Sequence, residues 1–271
     1  MNASKRSKNA RDAYGRGDVK ASALAHTPHQ IAQASAQEKH GGASSQYIGN
    51  MVYGGLDGII TTFAIVSGVA GAQLGGDIIL ILGLANLFAD GFSMATGAYL
   101  STRSEQEYYQ RERQRESWEV EHFPEGERLE LLELYRRRGY TETEAVALVE
   151  IYSRDPKHWV DAMMVDELGM LPDERKPLIS ALATLVSFIV VGSIPLLAYL
   201  LGLIIHFPAR DTFPISLGLS AVALFGLGAA KVLVTQHNPF RSGLETLLVG
   251  GLAAGVAYIV GALLRGIGGK P

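Results

Sequence analysis

Met163 and Met164 stand side by side among carboxylates, in the stretch KHWVDAMMVDELGM over residues 157–170. On a helix Met163 and Glu167 are an i,i+4 pair and Met164 and Glu167 an i,i+3 pair, so both sulfurs can flank one carboxylate. Carboxylate oxygens suit Mg, Ca and Mn, whereas thioethers are soft and discriminate toward transition metals. A mixed Glu/Met site therefore fits Fe(II), with Mn(II), Co(II) and Zn(II) as near competitors. The competing reading is that both methionines plug a helical core beside Val160 and Leu168, because methionine fills irregular gaps.

A second donor set lies earlier in the chain. With Glu105 taken as the origin, about 100° per residue puts Glu112 near −20°, Glu116 near +20° and Glu119 near −40°, one stripe about 60° wide. Glu107 and Glu121 fall on other faces. Like charges at i,i+4, such as Glu112 and Glu116, cost stability. The stripe reads either as a cation site or as the solvated face of an acidic domain.

A third set sits in apolar surroundings. Asp57 and Asp90 each lie about halfway along a hydrophobic run. An ionisable side chain near a bilayer centre is costly and marks an ion path or a proton relay, unless it is a buried hydrogen bond that locks the bundle. Met94 follows Asp90 by four residues, so acid and thioether again share a helix face. Gly54, Gly55 and Gly58 form a small-residue patch that permits close helix contact.

The elements that must position these groups follow from how apolarity is segregated. The chain has 271 residues, 48% of them hydrophobic. Its apolar runs fall at about 47–72, 78–100, 178–206, 213–234 and 244–264, each long enough for a membrane-spanning helix of about 18 or more residues. Charge collects in 1–46 and 101–177. The first 46 residues hold no apolar signal-peptide core and read as a disordered cytoplasmic tail, including His26, His29 and His40. No internal repeat is evident. There are no cysteines, so disulfides and thiolate metal sites are excluded. Five spans place the termini on opposite sides. Lys39, Arg103, Arg111, Arg175, Lys176, Lys231 and Arg241 would then lie inside, against Arg210, Arg265 and Lys270 outside. That bias predicts a cytoplasmic amino terminus, an outer 265–271 tail and a cytoplasmic 101–177 segment.

Residues 101–177 read as a helical domain. The run LSTRSEQEYYQRERQRESWEVEHF has no Gly or Pro before Pro124, so the second span continues into it as one helix. EGERLELLELYRRRGY follows, with basic residues in its last turn and Gly139 as its stop. Thr141 and Glu144 form a T-x-x-E capping box. Asp155 is the expected N-cap and Pro156 the first-turn residue of the helix that carries the methionines, which Gly169 ends. The predicted fold class is an all-α integral membrane protein of five transmembrane helices, with this domain inserted between the second and third.

YGGLDGIITTFAIVSGVAGA, ADGFSMATGAYLSTRSE, WVDAMMVDELG and GSIPLLAYL resemble the vacuolar iron transporter family, over nearly everything from Tyr47 to Leu264. The resemblance implies a homodimer that exchanges Fe(II) or Mn(II) for protons along a path at the dimer interface. Carried over by position, Asp57 and Met94 would line that path. Glu105, Glu116, Glu119, Met163, Met164 and Glu167 would bind metal in the cytoplasmic domain. Two positions depart from the pattern. Asn86 stands where the family has a glutamate, which leaves Asp90 as the nearby acid. Tyr108 stands where it has a carboxylate, and Glu112 is the candidate replacement.

Two enzyme classes share parts of this pattern. An intramembrane aspartyl protease needs Gly immediately before its second Asp, but Leu56 precedes Asp57 and Ala89 precedes Asp90. A di-iron oxidase needs two E-x-x-H motifs. Glu119-x-x-His122 is one, and the other candidate, Asp155 to His158, sits astride Pro156. The expectation is a non-enzymatic cation/proton antiporter in a prokaryotic plasma membrane. It has no prosthetic group and no catalytic residues. Its partners are divalent metal ions, protons, the lipid bilayer and a second copy, with no nucleic acid.

Overall fold

The computed structural model describes residues 5–35, 46–205, 209–231 and 238–265. All regular structure within them is helical. Three short helices come first: α1 (Lys5–Gly15), α2 (Val19–Ala25) and α3 (Pro28–Ser35). Here the structure differs from the unstructured tail that composition implies. Ala, Lys and Gln have high helix propensity, and Asp18 caps α2 by accepting from the Ala21 amide at 3.0 Å. His26 Nδ1 bonds its own helix at the Ser22 carbonyl, 2.7 Å away. Residues 36–45, with His40, lie outside the described residues.

The apolar runs become α4 (Ile48–Gly71), α5 (Gly76–His122), α9 (Pro177–Gly192), α10 (Ile194–Ile205), α11 (Ala209–Ala230) and α12 (Pro239–Leu264). Between α5 and α9 lie α6 (Pro124–Arg137), α7 (Glu142–Tyr152), α8 (Pro156–Ala162) and a π-helical turn over Met163–Glu167. The chain divides into two compact units, Tyr99–Pro177 and the remainder.

Among the described residues, four helices are long and apolar enough to cross a membrane; the count reaches five when the bent pair α9–α10 is taken as one span. The bend is 53°. Pro195 has no N–H to donate, so the helical ladder cannot run through it. Ser193 Oγ caps the break at the Val190 carbonyl, 2.9 Å away, and Ser216 Oγ of α11 donates to the Pro195 carbonyl at 2.6 Å. The expected third span is thus a broken one.

α4 is the hub of its unit. It buries Gly54, Gly58, Ile59, Thr62, Phe63 and Val66, and packs on α12, α11 and α10. A Cβ added at Gly54 would stand 2.6 Å from the Thr184 carbonyl oxygen, and one at Gly58 would stand 2.5 Å from that of Phe188. The small-residue patch therefore does what its spacing suggested, and brings the α9 backbone against α4 on both sides of Asp57. The outward faces stay apolar. Only 11% of the hydrophobic window of α12 is buried, and Leu248, Leu252, Val256 and Leu263 are exposed. In water such a surface would be a liability; lipid makes it the expected exterior.

The Tyr99–Pro177 unit has its own core. Val120, Leu131, Tyr135, Ala145, Val149, Trp159, Val160, Met163 and Met164 form one buried cluster. Local signals place its helices. The Thr141–Glu144 capping box is present in both directions. Asp155 accepts from the Lys157 amide at 2.9 Å, with Pro156 in the first turn. Gly139 at φ +94° and Gly169 at φ +65° adopt the left-handed geometry that ends helices.

Candidate metal sites

Glu116, Glu119 and Glu127 form the metal-competent group among the described residues. Each offers a carboxylate oxygen, and these oxygens lie within 4.8 Å of one another. Glu116 and Glu119 come from α5, one turn apart. Glu127 comes from the first turn of α6, which starts directly after Phe123. Glu116 is 1% exposed and Glu127 5%.

Arg115 already serves three acids of the α5 stripe. Arg115 reaches Glu112 at 3.1 Å, Glu116 at 2.5 Å and Glu119 at 2.5 Å. The remaining field is negative. Burial pushes the Glu116 carboxyl up to about 7, with Arg115 opposing and Glu167, Glu119 and Glu130 adding to the rise. Burial also pushes Glu127 up to about 7, reinforced by Glu116, Glu130, Glu119 and Glu167. Glu167 keeps solvent contact, yet partial burial and Glu130 raise its carboxyl too, again against Arg115. A divalent ion would relieve all of these at once, since each carboxylate binds it only after losing its proton.

Glu105 lies apart from this group. Arg175 holds it at 2.8 Å and Ser101 donates to it at 3.0 Å. The reason is axial distance. Eleven residues separate Glu105 from Glu116, about 16 Å along a helix at 1.5 Å per residue. Angular alignment puts side chains on one face without putting them at one point. Tyr108, at the other departure from the family pattern, is exposed.

Met163 and Met164 are fully buried among the core residues around Trp159. The backbone there is a π turn, closed by the Leu168 amide on the Met163 carbonyl at 3.1 Å. Single π turns concentrate at functional sites, and the wider turn brings residues four apart more nearly into line. Tyr135 and Arg138 clamp Asp166 within that turn, with the tyrosine hydroxyl donating at 2.9 Å. Burial alone is what packing methionines would also show, so substitution must separate the roles. Leu replaces Met at similar volume, typically for under about 1.5 kcal/mol. The full-length double variant Met163→Leu/Met164→Leu should keep its helicity, lose about tenfold in Fe(II) affinity and shift its preference toward Mn(II). Titration with each ion checks this. Unchanged Fe(II) affinity would assign both residues to the core.

In the other unit, α4 and α5 bring Asp57 within reach of the Asp90 charge. Asp57, Asp90 and Met94 are all partly buried. Thr61 Oγ1 bonds the Asp57 carbonyl at 2.8 Å, which ties off the backbone there and leaves the carboxylate its own task. Asn86 Nδ2 is buried without a hydrogen-bond partner.

Glu127 was not among the residues that sequence pattern singled out. A signal for it exists: Glu127, Leu131 and Tyr135 recur every four residues and form the buried face of α6. An acid in an otherwise apolar stripe is the mark of a buried charge with a purpose. The histidine of the E-x-x-H motif is engaged elsewhere. His122 stacks on Trp118 at 4.5 Å and bonds the Trp118 carbonyl at 2.8 Å.

Comparison with known proteins points one way. The VIT family model matches residues 48–262. A protein of Toxoplasma gondii named vacuolar iron transporter is 38% identical over 265 residues, covering 94% of this chain and 87% of the relative. A vacuolar iron transporter of Plasmodium berghei is 32% identical, over 94% of this chain and 95% of the relative. Vacuolar iron transporter 1 of Arabidopsis thaliana is 34% identical, over 84% and 90%.

Proposed function

This chain belongs to the VIT family, and on that premise we propose that it is a divalent cation/proton antiporter that moves Fe(II) or Mn(II) out of the cytoplasm. Its relatives are named as transporters rather than enzymes. The observation that carries the reading is the placement of Asp57 and Asp90 in two apolar helices, with the Asp90 charge acting on Asp57. Two like charges in a poorly solvated setting are costly unless a proton or a metal ion is shared between them. Alternation between those two occupants is the elementary step of exchange.

The cytoplasmic unit serves as the receiving site in this reading. Its buried glutamates hold protons near neutral pH and release them as metal binds, so protons and metal compete within the physiological range. Hard oxygens and soft thioethers together favour Fe(II), and the oxygens alone favour Mn(II). The protein acts as a homodimer, with Asp57 and Met94 lining the path between copies. The partial exposure of Asp57, Asp90 and Met94 in the single chain leaves that side open to a facing copy. The amino terminus and residues 101–177 lie in the cytoplasm, by the distribution of Lys and Arg beside the spans. Export across a plasma membrane and loading of a vacuole, as the relatives' names describe, are the same movement out of the cytoplasm.

The test is uptake of each divalent ion into proteoliposomes with and without a pH gradient. Antiport predicts flux of Fe(II) or Mn(II) that rises with an opposing proton gradient, and proton movement that appears only when metal is supplied. Metal flux indifferent to the gradient would remove the antiport; no metal flux in either condition would remove the transport reading.

A further inference from the structure

Glu127 occupies a position where an ionised carboxylate has no ready explanation in packing. It lies on the core-facing stripe of α6, above Leu131 and Tyr135, which pack in the same cluster as Met163 and Met164. It is 5% exposed, and its Oε2 has no hydrogen-bond partner among the described residues. Arg115 satisfies Glu112, Glu116 and Glu119 from the α5 side. A buried carboxyl with a bare oxygen is costly in either protonation state, as a charge without a counter-ion or as a polar group without a hydrogen bond. Burial of this acid therefore has to be justified by something that is not a side chain of this unit.

The spacing says what that something is. Oxygens of Glu116, Glu119 and Glu127 lie within 4.8 Å of one another. Two oxygens on opposite sides of one cation, each at a bond length of about 2.0–2.6 Å, stand roughly 4–5 Å apart. The three carboxylates are thus close enough to share a single divalent ion, and they come from two helices. A stripe on α5 alone could touch an ion from one side only.

We propose that Glu127 is a direct ligand of a divalent metal ion, closing from α6 the site that Glu116 and Glu119 open on α5. The proposal rests on the metal-transport reading above and adds to it a residue that the family resemblance does not supply.

The experiment uses the full-length protein in detergent with Mn(II) as the probe, following free Mn(II) by its spin resonance and stability by thermal melting. Glu127→Gln keeps shape and removes charge. It should weaken Mn(II) binding by about tenfold or more and lose the rise in Tm that Mn(II) confers. Its metal-free Tm should not fall, because Gln has nearly the same shape and the unpartnered Oε2 makes no hydrogen bond that would be lost. Glu127→Asp, with charge but less reach, should bind with intermediate affinity. Glu130→Gln removes a nearby exposed charge that acts only through the field, and should change affinity little.

Wild-type affinity in Glu127→Gln would overturn the proposal while leaving the metal reading intact. Equal losses in Glu127→Gln and Glu130→Gln would also overturn it, since the effect would then be electrostatic at a distance. If Glu127→Gln does not fold, Glu127→Asp decides: wild-type affinity there overturns the proposal and weakened affinity upholds it. A wild-type protein that binds no Mn(II) would remove both the ligand and the metal reading.

Discussion

Replacing Asp57 by Asn should reduce gradient-driven metal flux to the level of protein-free liposomes, in a chain that still folds. Asn matches Asp in size and removes only the ability to hold a proton or to bind a cation as an anion. The surrounding packing makes the change clean. Gly54 and Gly58 bring the α9 backbone against α4, so the local fold depends on absent side chains rather than on the carboxylate. The Asp90 charge acts on Asp57, and removal of one charge from that pair relieves repulsion. The metal-free Asp57→Asn protein should therefore melt no lower than wild type while transporting nothing. Flux of Mn(II) or Fe(II) into proteoliposomes, read beside a pH-sensitive dye, checks both halves. Wild-type flux in the variant would rule the role out. A fall in Tm that tracks the fall in flux would instead mark Asp57 as a structural lock.

A comparably large loss is expected from Asp90→Asn, and a much smaller one from Asn86→Ala. The family pattern puts the acid one turn earlier, at the position Asn86 occupies. Asp90 shares a helix face with Met94, and its charge reaches Asp57. Asn86 offers less. Its Nδ2 is buried without a partner, so truncation to Ala removes an unsatisfied donor rather than a working bond. Asn86→Ala should retain most of the flux and lose no stability. Parallel uptake assays on the two variants decide the matter, and the opposite ranking would return the exit of the path to position 86.

Several features were legible because their causes are local. Membrane spans are set by the transfer of consecutive side chains out of water, a sum over neighbours in sequence. Caps are equally short-range. The Thr141 and Asp155 caps, and the left-handed Gly139 and Gly169, each depend on a few adjacent residues, and each stands where its pattern placed it. The run from Gly76 to His122 is one helix because nothing in it interrupts the ladder. The close approach at Gly54 and Gly58 was readable for the same reason: small residues one turn apart make a groove whatever fills it. By contrast, the short helices of 5–35 stand where polar composition suggested none.

What periodicity could not supply is which helix answers which face, and at what depth. It reports an angle about one axis. Glu105 has the right angle for the acid stripe but stands about 16 Å along the helix from Glu116, at 1.5 Å per residue, and pairs with Arg175 instead. Glu127 belongs to another helix, and only the helix break at Phe123 lets it stand beside Glu116 and Glu119. The π turn at Met163–Glu167 and the full burial of both methionines depend on the core that gathers around Trp159. The bend between α9 and α10 needs Pro195 and a hydroxyl from α11. By itself the sequence determined the apolar spans, the inserted helices and the residue types able to hold metal, because solvation and capping act over neighbours. The tertiary structure alone decided which carboxylates converge and which charge is left unpaired, because those depend on distances between residues far apart in the chain.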